Sequence, residues 1–288
     1  MLRKKRILSV LFVLLFVLIA VASGESTDTK GSNDEGDQVE SQAVSQKEDN
    51  GEKVYLDEEE IQYIYSDPRK YKGKHVIITG KVFVEPERNG DEVAVQMFQK
   101  PTNSENNTLI MYKGNIDIED GDYIRVDGVI EGEFKGTNAF GGTITTPKIL
   151  ANELEVLSYI EVMAPTEKEL IIGEKQDQYG YEVIIDKIEL SEPETRVYIT
   201  INNNGGSNFS AYSFNAKLLQ GKNQFEAESN WEADYPEIQS DLRPGASTSG
   251  IICFPAIDHS ESFTLYIDGY SDNWEEDFKE YEFEVEIN

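Results

Sequence analysis

Two histidines, one cysteine, two tryptophans and 55 acidic side chains are the residues here whose types could do chemistry. His259 stands in Asp258-His259-Ser260, the residue types of acyl transfer. Adjacent in the chain, the three cannot converge on one substrate atom as a triad requires, so they read as a loop. His75 stands beside a strand start, and no metal-ligand spacing accompanies it. Cys253 lies between Ile252 and Phe254 with no histidine or cation beside it in sequence, the setting of a packed small hydrophobe rather than a nucleophile. Glycoside hydrolysis needs two carboxylates at a fixed separation, and so many acids supply pairs everywhere and single out none. From Asn115 to Gly121 the acids suggest a calcium loop, but Gly121 falls seventh and Val126 twelfth, where an EF-hand needs glycine sixth and glutamate last. That stretch reads as a hairpin turn. P-loop, HExxH and GxSxG patterns are also lacking. The sequence therefore predicts no catalytic residue, no metal ligands and no cofactor.

Binding chemistry has better candidates. Trp231 and Trp274 flank acidic loops, Trp231-Glu-Ala-Asp-Tyr235 and Asp272-Asn-Trp274-Glu-Glu, and are candidates for an exposed contact surface. With 26 basic against 55 acidic residues the formal charge is −29. Such a chain lacks the basic footprint that nucleic-acid binding needs. It suits basic partners or divalent cations instead.

The elements that would position these residues begin after a distinctive start. Arg3-Lys4-Lys5-Arg6 precedes an apolar run from Ile7 to Ala22 broken only by Ser9, and Ala20-Val21-Ala22-Ser23-Gly24 leads into polar chain. A basic head, an apolar stretch and a small-residue exit make an export signal over residues 1–23, cleaved near Ala20, Ala22, Ser23 and Gly24 or retained as an anchor through residues 7–22. The exit resembles a bacterial lipoprotein signal, but Gly24 occupies the position of the lipid-bearing cysteine, so no lipid attachment is expected. Residues 24–53 hold almost no hydrophobes and read as a disordered acidic linker. Fully flexible, such a linker spans about 30 Å. A single cysteine in an exported chain excludes internal disulfides, so each fold must rest on an ordinary core.

Residues 54–160 open on a short helix that Asp57 can cap with Glu60 in the capping-box position, ended by Asp67-Pro68. Strand-like segments follow at 75–84, 92–99, 108–112, 123–131 and 149–157, predicting a small closed barrel. Asp67-Pro68, Tyr71-Lys72-Gly73-Lys74, Gly80-Lys81-Val82, Gly121-Asp122-Tyr123, Val126-Asp127-Gly128, Gly141-Gly142 and Pro147 recur in this order in bacterial OB-fold domains of the tRNA-anticodon-like type, which the region resembles. The resemblance implies an OB-type barrel whose open face could contact an oligosaccharide or peptide. Phe83, Phe98 and Tyr112 are the candidate contacts, with Phe134 and Phe140 further aromatics; the competing reading puts such rings in the barrel core.

Ala164-Pro165-Thr166 interrupts the pattern, and residues 165–288 carry seven short strand candidates at the spacing of a β-sandwich: 181–190, 196–202, 213–219, 224–227, 250–254, 263–267 and 280–287. In the last, Tyr281, Phe283, Val285 and Ile287 alternate with Glu280, Glu282, Glu284 and Glu286, predicting an apolar row inward and an acidic row in solvent. The segments starting at Val183, Val197, Leu242 (Leu-Arg-Pro-Gly), Ser249 and Phe263 resemble a telokin-like, immunoglobulin-like domain of unknown function found in exported Gram-positive proteins and lipoproteins. That family carries no established catalytic residues. The expectation is thus a mainly β chain of two domains and a non-enzymatic binding protein at the outer face of the membrane or outside the cell, its partner a protein or carbohydrate of the envelope. The alternative is an enzyme, or an enzyme accessory, acting on wall polymers through the OB face.

Overall fold

A computed structural model describes residues 53–137 and 141–287. The export segment, all of the linker but Lys53, and Phe140 lie outside the described residues. The described chain is mainly β, in several sheets, and divides into two compact units, one ending at Glu155 and the other starting at Val156.

In the first unit Asp57 caps the four-residue helix α1 (Glu58–Ile61), accepting from the Glu60 amide at 2.8 Å while the Glu60 carboxylate accepts from the Asp57 amide. Two 3-10 turns, Gln62–Tyr65 and Pro68–Tyr71, carry the chain on and bury Ile64 and Pro68. Then come β1 (His75–Val82), β2 (Glu87–Asn89), β3 (Glu92–Lys100), β4 (Glu105–Lys113), β5 (Tyr123–Thr137) and β6 (Thr143–Leu157). The sheet runs β1-β5-β6-β4-β3-β2, and β1 also pairs with β3, so five strands close into a ring. β4 and β6 pair in parallel. Strand alternation turns Val76, Ile78, Val95, Ile110, Ile124, Val126 and Ile149 into one core. Gly80 permits the closure. A Cβ there would lie 2.5 Å from the Phe98 carbonyl oxygen, just where β1 passes from β5 to β3.

β5 and β6 are longer than their hydrophobic patterns predicted. Residues 132–137 and 143–148 continue as strand although glycines, threonines and charged residues blur the alternation there. The stretch 119–122 is a turn, as its composition predicted: the Asp122 carboxylate accepts from the Glu119 amide at 2.8 Å.

The second unit begins with α2 (Tyr159–Met163), capped by Ser158. Strands β7 (Lys168–Gln178), β8 (Tyr181–Leu190), β9 (Glu194–Asn203), β10 (Phe209–Ala211), β11 (Lys217–Gln220), β12 (Asn223–Glu226), β13 (Ser247–Pro255), β14 (Phe263–Ile267), β15 (Gly269–Ser271) and β16 (Tyr281–Val285) follow. They form the sheets β13-β9-β8-β7 and β12-β11-β14-β16, with a small β10-β15 ribbon. Residues from both large sheets, among them Tyr181, Ile199, Phe254, Leu265 and Phe283, share one core, so the unit is a two-layer sandwich. The alternation in β16 appears as predicted, with Tyr281, Phe283 and Val285 buried and Glu282 and Glu284 exposed.

Two sequence expectations need correction. Residues 213–215 form a 3-10 turn before β11 rather than the start of a strand. β7 was not expected as a strand: it is an edge strand whose exposure alternates only up to a bulge between Ile171 and Glu174, and only Leu170 and Ile172 give it apolar side chains on the core.

Side chains from β7 cover the open edge of β16. The Gln176 amide donates to the Glu282 carbonyl and accepts from the Glu282 amide at 3.3 Å, and Gln178 does the same for Lys279 at 2.9 and 3.0 Å. Each glutamine thus stands in for a neighbouring strand, the kind of cover that keeps an edge from pairing with another chain. The double substitution Q176A/Q178A is expected to cost about 1 kcal/mol per lost bond and to promote association through β16. Light scattering over a concentration series checks this; a mass unchanged from the parent chain at every concentration would count against it.

Candidate functional site

The second unit contains a groove of about 440 Å³ between the 212–214 turn, the 228–240 loop and the outer face of β13. Its construction starts from one buried cation. On β9, Arg196 lies directly across from Glu189 on β8 and Cys253 on β13. Alternation points these residues away from the shared core, toward what would be solvent. Instead Arg196 is 0% exposed, because two segments cover this face. From one side the guanidinium donates to the Ala164 carbonyl at 2.9 Å and to the Thr166 hydroxyl at 2.8 Å. From the other, Glu194, which takes an Arg196 bond at 2.9 Å, accepts from Asn230 at 2.8 Å and from the Tyr235 hydroxyl. Glu189 accepts from Arg196 at 3.0 Å, from Tyr198 at 2.9 Å and from Lys187.

Burial works against the Arg196 charge, and Glu194 and Glu189 hold it on. Burial also pushes Glu194 up, but the bonds from Tyr235, Arg196, Asn230 and Cys253 outweigh it and hold the carboxyl below its ordinary value. Glu189 is lowered in the same way: burial opposes, and Lys187, Tyr198, Arg196 and Thr166 prevail. Both carboxylates therefore contribute stability above the ordinary glutamate range, and it is lost as pH falls through their lowered folded values. Thermal unfolding followed by circular dichroism from neutrality down to about pH 3 is expected to show the second unit losing stability over that window, with a flatter dependence in E189Q/E194Q. Equal slopes in the two chains would refute the assignment.

Cys253 is 7% exposed, and its thiol donates to Glu194 at 3.3 Å. It is buried, as the sequence suggested, but in a polar network with a cation across the strand rather than among apolar neighbours. Burial, and then the Glu194 charge, pushes the thiol up to about 12. At neutral pH it is an un-ionised donor.

The 228–240 loop is anchored at several points besides Glu194. The Glu228 amide donates to the Cys253 carbonyl at 2.8 Å, the Ile251 amide to the Pro236 carbonyl at 2.9 Å, and the Gln239 amide to the Thr248 hydroxyl at 3.1 Å. Asn230 Oδ1 accepts from the amides of Glu232 and Ala233. Gly250 allows this approach, since a Cβ there would lie 2.7 Å from the Ile238 nitrogen. The loop presents Trp231, 76% exposed, and the 212–214 turn presents Phe214, 71% exposed, its ring 5.5 Å from that of Tyr212. Glu228, Asp234 and Glu237 share the lining, and no lysine or arginine does.

Of the contact residues selected from sequence, Trp231 alone lines this groove, with Cys253 at its floor. Trp274, 88% exposed, lies in the 272–280 loop outside the lining. Phe83 and Phe98 stack at 4.0 Å in the first unit, both half-buried. Tyr112, half-buried, packs against the barrel core with its ring over Gly114. Phe134 is half-buried on β5. The histidines take no part in the groove. His75 lies 5.5 Å from the Tyr55 ring, and His259 Nδ1 is 3.2 Å from Glu167. Asp258 accepts from both the amide and the hydroxyl of Ser260, so Asp258-His259-Ser260 is a local turn. Sequence reasoning missed Tyr212, Phe214, Glu194 and Arg196. Glu194 and Arg196 left one signal, charges of opposite sign two residues apart on one face of a strand.

Among the described residues no three His, Cys, Asp or Glu side chains are placed to share a metal ion. Nor is any helix among them long and apolar enough to cross a membrane. No protein-family model, curated protein or solved structure matches the chain.

Proposed function

We propose that this chain is an exported, non-enzymatic binding protein of the cell envelope, built from an OB-type barrel and an immunoglobulin-like sandwich, with its contact surface on the sandwich. The OB reading is supported by the ring order β1-β3-β4-β6-β5, with β4 and β6 paired in parallel. The immunoglobulin-like reading is supported by two antiparallel four-stranded sheets around one core. Export rests on the cationic head, apolar run and small-residue exit of residues 3–24. The observation that carries the functional reading is the groove, where strongly exposed Trp231 stands on a loop locked from beneath by a buried ion network and exposed Phe214 stands on the neighbouring turn. Exposed rings on a fixed platform suit recognition. Its one thiol, held un-ionised, suits structure better than nucleophilic attack.

The test is protease treatment of intact expressing cells, followed by incubation of the intact protein with isolated envelopes. Digestion from outside and retention that W231A weakens are expected. Complete protection in intact cells would overturn export, and release of soluble sugar from the envelopes would replace the binder with a hydrolase.

A further inference from the structure

We propose that the groove takes a lysine- or arginine-bearing extended segment of a partner protein; the inference rests on the reading of the chain as an envelope binder and names its ligand class. Charge complementarity carries it. Glu228, Asp234 and Glu237 line one concave surface with no cation among them, and none pairs with a lysine or arginine among the described residues. On the β7-β8-β9 face, by contrast, acids meet cations: Lys175 meets Glu182 at 2.7 Å, Lys187 meets Glu169 at 2.8 Å, and Arg196 is held between Glu189 and Glu194. Each buried carboxylate beneath the groove therefore has a cation against it, while the three carboxylates of the lining have none.

The aromatic residues complete the match. Tyr212, Phe214 and Trp231 offer ring faces to an ammonium or guanidinium and apolar surface to its methylene stem. A neutral sugar could stack on the same rings, but it would displace water from three carboxylates without answering their charge. The loop is already ordered by Glu194, Cys253 and Gly250, so a ligand need not order it on binding. The chain's overall charge of −29 draws cationic segments toward it, and the groove gives one place where they can be held.

The probes are a fluorescein-labelled peptide of alternating lysine and serine, its glutamate–serine counterpart, and an N-acetylglucosamine tetramer. Each is titrated into the intact protein at low and physiological salt. The lysine peptide is expected to bind, more weakly as salt rises, and the glutamate peptide not to bind. W231A and the triple variant E228Q/D234N/E237Q are each expected to weaken lysine-peptide binding by about tenfold or more. The triple variant E280Q/E284Q/E286Q, with the same charge change on and beside the exposed row of β16, is expected to stay within about twofold. Shielding of the Cys253 thiol verifies the fold of each variant. Equal losses in the two triple variants, or no loss in W231A, would reduce the attraction to net charge and overturn the proposal. Trp231-dependent binding of the sugar with none of the lysine peptide would overturn this ligand class while leaving the binder standing. Failure of all three probes, with no retention on envelopes, would overturn both.

Discussion

Replacing Arg196 with methionine is expected to destabilise the second unit by about 3–5 kcal/mol, the cost of leaving a buried charge without its partner. For a unit of this size that corresponds to a melting temperature lower by roughly 10–20 °C. Methionine fills similar volume, so the loss is electrostatic: Glu189 and Glu194, both nearly inaccessible, face each other's charge without the guanidinium between them. Five hydrogen bonds go with it, including those holding Ala164 and Thr166. The chain supplies its own reporter. Cys253 is its single cysteine, belongs to this unit and is shielded when folded, so alkylation after a heat pulse counts unfolded molecules. R196M is expected to label at a markedly lower temperature than the parent chain. Removing the acids as well, in R196M/E189Q/E194Q, is expected to recover much of the loss, since a buried ion cluster replaced as a whole costs far less than one broken. If R196M melts like the parent chain, the network is not what holds the loop.

Alanine at Gly80 is expected to weaken closure of the first unit by about 1–3 kcal/mol or more. The added Cβ would meet the Phe98 carbonyl oxygen at 2.5 Å and Met97 Sδ at 2.9 Å. The sulfur can swing aside, but the carbonyl belongs to the β3 backbone that pairs with β1 at Lys81 and Val82. Relief therefore requires the two strands to part. Amide exchange at Val82, whose N–H donates to the Asp122 carbonyl at 2.8 Å, is expected to quicken by about 5- to 150-fold, while Cys253 shielding in the other unit stays unchanged. Gly206→Ala, with no atom within 4 Å of its Cβ, is the control and is expected to change neither. Unchanged exchange in G80A would mean that the β1–β3 contact is not needed for barrel stability.

The Arg196 network and the β1–β3 closure differ in how far they could be read in advance. Gly80-Lys81-Val82 was visible as a strand motif, but only the pairing of Lys81 with both Tyr123 and Phe98 shows that the glycine stands where a ring closes. Val183, Ile185, Val197, Ile199, Phe263 and Leu265 alternate plainly, and their strands form where the pattern put them. Period-two patterning reports whether a strand has one buried face, and it does so locally. β7 gave little of that signal because only Leu170 and Ile172 are apolar on its inward face and a bulge then shifts the register. Trp231 could be chosen from its acidic surroundings. Phe214 could not, because its exposure depends on a 3-10 turn placed opposite a loop some 15 residues on.

By itself, then, the sequence determined the acidic character, the strand-rich composition, the alternating faces and the cationic, apolar start of the chain, all of which depend on residue type and short-range order. Only the tertiary structure decided that Arg196, Glu189, Glu194 and Cys253 belong together, since they come from three strands and meet through sheet register. It also decided that the outer face of that sheet is covered. Whether a strand's polar face meets water or another segment is set by where distant loops return, and burial turns ordinary surface charges into the ion network that holds the Trp231 loop in place.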